Sequence, residues 1–141
     1  MMRIPVWMIL GLILALLIMD LTTILTVRSR VIIATEMALD AALVGGVNLS
    51  DRGRGEIYID EEAGKNLARS YFKSNLNLNN NLENSFLKKT KLTIQFSQNG
   101  NRPQARAEVS TYITAICPKI VGLEGVPIEI GGTRNYINTF K

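Results

Sequence analysis

The sequence predicts an α+β protein: a long N-terminal α-helix with an apolar first half, then a small antiparallel β-sheet domain with one covering helix. Three observations predict it. Ile4 to Met19 carries no charge, and the apolar character continues to Val27 with Thr as its only polar type apart from Asp20. A run of Ala, Leu, Met and Glu prolongs the helical pattern to Val44, where Gly45-Gly46 supplies a stop. The last third alternates apolar and polar residues with period two, as half-buried strands do.

With 141 residues the chain has room for about one ordinary domain. The expected division is residues 1–46, a transmembrane or filament-core helix, and residues 47–141, a globular α+β domain. Ile4–Val27 is about 36 Å of helix at ~1.5 Å per residue, enough to cross a hydrocarbon core of ~30 Å. Pro5 sits in the first turn, where its missing N–H is not needed. No small-x-small cleavage site follows the apolar core, so the expectation is a retained membrane helix rather than a signal peptide. From Pro5 to Val44 the helix is about 60 Å long at ~1.5 Å per residue.

Asp20 interrupts the apolar run. Facing lipid, an ionised group costs at least ~2.5 kcal/mol. Two readings stand. Either Asp20 marks the end of the membrane, which leaves only ~24 Å of apolar helix before it, or it is buried beside a cation. The candidate cations are Arg28, Arg30, Arg3 or the terminal amine of an adjacent subunit. Further along, Ala34, Ala38, Ala41 and Gly45 form one narrow stripe of small residues. Such a stripe lets a second helix approach closely, or lies on the chain's own domain with Ala as filler. Glu36 and Asp40 lie on a different face.

After a loop-like link from Val47 to Gly55, Glu56–Asp60 is expected to form a short strand. Asp60 is then an N-cap, with Glu61 and Glu62 in the favourable first turn. Ala63, Leu67, Tyr71 and Ala68, Phe72, Leu76 recur every four residues, which makes Glu61–Leu76 an amphipathic helix. The six Asn between Asn75 and Asn84 read as a loop. Lys91–Gln98 places Leu92, Ile94 and Phe96 on one face, and Asn99-Gly100 signals a hairpin. Pro103–Ile116 presents Ala105, Ala107, Val109, Thr111 and Ile113 on the matching face. Val126, Ile128 and Ile130 share a face of the next strand, and Asn135–Phe140 is a short last one.

Composition narrows the chemistry. Sixteen Lys and Arg against twelve Asp and Glu give a net charge of +4, but the excess is scattered beyond Lys88, Lys89 and Lys91. A basic face with stacking aromatics is not visible, so no nucleic acid is expected as a partner. The single cysteine, Cys117, lies in a strand-like run before Pro118 and reads as a buried free thiol. The absence of histidine removes the commonest general base and most zinc sites. No phosphate loop, dinucleotide-binding glycine pattern, HExxH or calcium-loop spacing occurs, and Asn48-Leu49-Ser50 matches a glycosylation acceptor only formally. The expectation is a non-enzyme with no cofactor and no metal.

The run MDLTTILTVRSR from Met19, followed by TEMALDAALVGGVNLS, resembles the TadE-like family of tight-adherence pilus proteins. Asp20, Arg28, Arg30 and ALDAALVGG match that family in kind and order over residues 10 to 50. The resemblance implies a structural subunit of an extracellular pilus-like filament, assembled by packing of the N-terminal apolar helices, or a minor component retained in the membrane. It implies as partners copies of the chain in a helical filament, the membrane before assembly, and the pilus assembly machinery. The processed members' Gly and Glu at the head of the apolar run have no counterpart in MMRIPVWMIL. The family also places the amino terminus inside and the domain outside, whereas arginines on both sides of the helix leave the charge rule balanced. A single-pass membrane enzyme or receptor is the alternative of another class.

Overall fold

A computed structural model describes residues 5–48, 58–99 and 102–136. It has the α+β architecture, with a long apolar N-terminal helix followed by an antiparallel sheet. Helix α1 runs from Val6 to Gly46, 41 residues without interruption. Its Thr residues do not break it, because Thr22, Thr23 and Thr35 each return their hydroxyl to the carbonyl four residues earlier.

β1 (Val47–Asn48) and β2 (Tyr58–Ile59) form a two-residue antiparallel clasp. It delivers the chain to α2 (Glu61–Asn75). Asp60 caps α2 as its composition requires: the carboxylate accepts from the Ala63 N–H at 3.0 Å. Glu61 and Lys65 pair one turn apart on the solvent side. α2 runs antiparallel to α1 and buries Gly64, Ala68 and Phe72, with Leu76 just beyond its end. Of the two stripes legible in the sequence, the one through Ala68, Phe72 and Leu76 therefore faces the core. In the other, Leu67 lies at its margin and Tyr71 is exposed.

The loop after α2 is organised by its asparagines. Asn79 accepts from the N–H groups of Asn81 and Glu83, and Asn84 accepts from those of Phe86 and Leu87. Asn77 takes a left-handed φ of 50°, which Asn tolerates better than most residues. The interleaved Leu76, Leu78 and Leu82 are buried.

The main sheet has the order β3-β4-β5, all antiparallel: β3 (Leu87–Asn99), β4 (Arg102–Ile113) and β5 (Val126–Asn135). The pairing of Asn99 with Arg102 leaves residues 100 and 101 as the hairpin connection, so Gly100 of the expected turn lies outside the described residues. The same holds for Leu49 and Ser50 of the acceptor motif and for the end of the expected last strand, residues 137–140. The core-facing set is the expected one. Ile94, Ala105, Ala107, Val109, Thr111 and Ile113 are buried, with Leu92, Phe96, Ile128 and Ile130 packed at the margin.

This face lies against α1 from Ile24 to Leu43, and the strands follow the helix axis. Gly132 faces Leu39, and Arg134 reaches Glu36 and Asp40 near the far end of the helix. The opposite end of the sheet, where Ile113 pairs with Val126, lies toward Asp20. There the expectation of a strand continuing to Ile116 fails. β4 stops at Ile113, and Ile116–Ile120 forms a short helix, α3, which links β4 to β5. Cys117 accordingly lies in a helix and is only partly buried.

Candidate functional site

The site is the junction at which α1 passes from bare apolar helix to the covered spine of a domain. On one side of Asp20, Val6 to Met19 project outward: Trp7 is 81% exposed and Leu12 65%. On the other, the face through Ile24, Val27, Val31, Ala34 and Ala38 sinks into the core. α1 is the one helix among the described residues that is long and apolar enough to cross a membrane.

Asp20 is the first residue of the covered face and is only 6% exposed. Its Oδ1 accepts from the backbone N–H of Ile116 at 2.9 Å, and its Oδ2 from that of Cys117 at 2.5 Å. These are the first two amides of α3, which have no partner within a helix. Ala115, at the N-cap position, has no side chain able to bond them. Asp20 therefore caps α3 from a position 96 residues earlier in the chain. The charged oxygens meet fixed donors, so each bond is charge-assisted and stronger than a neutral one. The Cys117 thiol beside this carboxylate is pushed above its ordinary pKa, first by its hydrogen bond to Asp20 and then by desolvation.

The partners of Asp20 within the chain are thus amides, where the sequence reading looked for a cation. Arg28 and Arg30 are exposed and make no ion pair among the described residues. Arg3 lies outside the described residues. The small-residue stripe takes the second of its two readings. Ala34, Ala38 and Ala41 are buried within the chain, and Gly45 abuts Leu67 of α2. Close approach is still their physical role, but the helix that approaches is the chain's own.

Sequence reasoning missed Ile116 and Cys117, because their contribution is backbone and independent of side-chain type. One local signal was present: Pro118, in the first turn of α3, has no N–H to give a strand ladder, and a helix tolerates that loss there. Chemically, the junction locks the β4–β5 connection to the helix and fixes the domain's rotation about it. Among the described residues, no group of three or more His, Cys, Asp or Glu is placed to hold a metal ion. No family model, curated protein or solved structure matches the chain.

Proposed function

We propose that the chain is a structural subunit of an extracellular pilus-like filament, held in the membrane by the first half of α1 before assembly. The observation that carries this reading is the division of α1 at Asp20. Before it, every side of the helix is apolar and uncovered; after it, one face is fully used by the domain. A helix of that kind requires lipid around it or other apolar helices, and a filament core supplies the second. The partners are then copies of the same chain, the bilayer before assembly and the assembly machinery. The resemblance of residues 10 to 50 to the TadE-like family points the same way.

A second reading, a minor component that stays in the membrane and primes a pilus of another protein, is favoured by one particular. Asp20 already has two donors within its own chain, so it places no demand on a cation from a neighbour. Shearing surface fibres from cells and blotting for the chain separates the readings. Abundance in the fibres supports the subunit. Retention in the membrane, with fibres lost on deletion, supports the assembly component. Retention with fibres unaffected by deletion rejects both. A cysteine introduced at the exposed Asn80 is expected to react with an impermeant maleimide on intact cells; protection until lysis would reverse the orientation.

A further inference from the structure

Outside α1, Tyr71, Phe86 and Tyr112 are exposed at other places in the fold, but the exposed large aliphatic side chains of the described residues gather in one place. Ile116, Ile120, Val121 and Leu123 fall within one short segment, and Ile120 and Val121 are each at least 70% exposed. That segment is α3 and the turn after it, at the end of the sheet nearest Asp20.

The turn is firmly built. Asp20 caps the start of α3, and Gly122 closes its end with φ +78°, which glycine adopts without strain. The Gly122 N–H donates to the Lys119 carbonyl and the Leu123 N–H to the Pro118 carbonyl, the paired bonds of a Schellman stop. The apolar side chains are therefore held outward by hydrogen bonds at both ends of the segment.

We infer that this tip, through Ile120, Val121 and Leu123, dips into the lipid interface beside α1 as a second, shallow membrane anchor. The inference rests on α1 spanning the bilayer, and the depth of the helix then carries it. A hydrocarbon core takes about 20 helical residues. Counted from Val6, the first residue of α1, that length ends near Leu25, little more than one turn beyond Asp20. The level of Asp20, and with it the start of α3, thus falls within about 8 Å of the membrane boundary at ~1.5 Å per residue.

Leu21 and Leu25, more than half exposed, continue the apolar surface on α1. Exposed Lys119 lies within the tip, and Arg28 and Arg30 follow on α1, where their charge suits anionic headgroups. Interfacial apolar faces of this kind sink about 5–10 Å into the headgroup and acyl boundary. The capped junction also shields the Asp20 carboxylate, so a charge at that depth is not bare toward lipid.

The test places one nitroxide label at a time in a Cys117→Ala background of the full chain, at Leu14, Ile120, Leu123 or Thr93. Reconstitution is into phosphatidylcholine–phosphatidylglycerol vesicles, and collision with oxygen is compared with collision with a water-soluble nickel chelate. Expected is oxygen-dominated collision at Leu14, Ile120 and Leu123 and nickel-dominated collision at Thr93 on the outer sheet face. Nickel-dominated collision at 120 and 123 with Leu14 in lipid overturns the anchor while the spanning helix stands. Nickel-dominated collision at Leu14 rejects the spanning reading and the anchor with it. Dipolar broadening between labels at 120, lost on dilution with unlabelled chain, overturns the anchor in favour of contact between copies.

Discussion

The carboxylate of Asp20 and the backbone N–H of Ile116 meet at 2.9 Å, although 96 residues separate them in the chain. This contact ties the last descending loop of the sheet to the helix at the point where the domain begins to cover it. It also explains how an acidic residue is tolerated at the end of an apolar run. Asp20→Ala is expected to free α3 while leaving the sheet intact. Amide exchange in detergent micelles should accelerate at Ile116 and Cys117 by about tenfold or more, as loss of a charge-assisted bond implies. The Val109 amide in the central strand should hold. Unchanged exchange at all three would show that the carboxylate is dispensable.

Cys117 reports the same junction through its chemistry. The Asp20 carboxylate and partial burial raise the thiol pKa, so at a given pH less of it is thiolate, the reactive form. Alkylation is expected to lag behind that of an unperturbed thiol at pH 8.5. In Asp20→Asn the midpoint of the rate-against-pH curve should move to lower pH. A uniform rise at every pH, with the midpoint fixed, would mean that the variant had merely opened the loop.

What the sequence made legible, and what it hid, follows from the range of each interaction. The unbroken apolar run and helix formers of α1, the Asp60 cap and the inward face of β4 are local, and each has its own residue signature. α3 is not local: its N-cap comes from Asp20, and Thr114-Ala115-Ile116 by itself continues the alternation of the strand. The two stripes of α2 have the same period, so only the tertiary contact of Gly64 with α1 decides which one turns inward. The Ala34–Gly45 stripe was visible, but the identity of its partner helix was not, because small residues specify closeness and not the neighbour.

A polar pair inside the sheet offers a test by double substitution. Thr90 and Thr111 are buried with their hydroxyl oxygens 2.7 Å apart, and Thr111 also donates to the Lys88 carbonyl at 3.1 Å. Since each hydroxyl has one proton, Thr90 must be the donor between them. Thr111→Val strands the Thr90 donor and removes the bond to the Lys88 carbonyl, and is expected to cost about 1–3 kcal/mol. Thr90→Val leaves the Thr111–Lys88 bond in place and should cost less. Thermal unfolding in micelles should give the double variant a smaller loss than the sum. Strict additivity would contradict the coupling.

The closest approach of the two helices sets the final expectation. A Cβ on Gly64 would stand 2.8 Å from the Ala42 carbonyl oxygen and 3.3 Å from the Gly46 Cα, as well as 2.7 Å from the Phe96 ring. Backbone atoms of a helix cannot step aside singly, so Gly64→Ala must push α2 away from α1. Overpacking of this kind costs about 1–3 kcal/mol, which outweighs the gain of at most about 1 kcal/mol from replacing glycine in a helix. At Gly45 the obstruction is different: the new Cβ would meet Leu67 Cδ2 at 2.5 Å, the far end of a flexible side chain. Gly45→Ala is therefore expected to be the milder change, with Leu67 rotating toward solvent. Unfolding midpoints of the two variants in the same detergent should fall in that order. A Gly45→Ala variant as damaged as Gly64→Ala would mean that Leu67 is held by more than the contacts along α1.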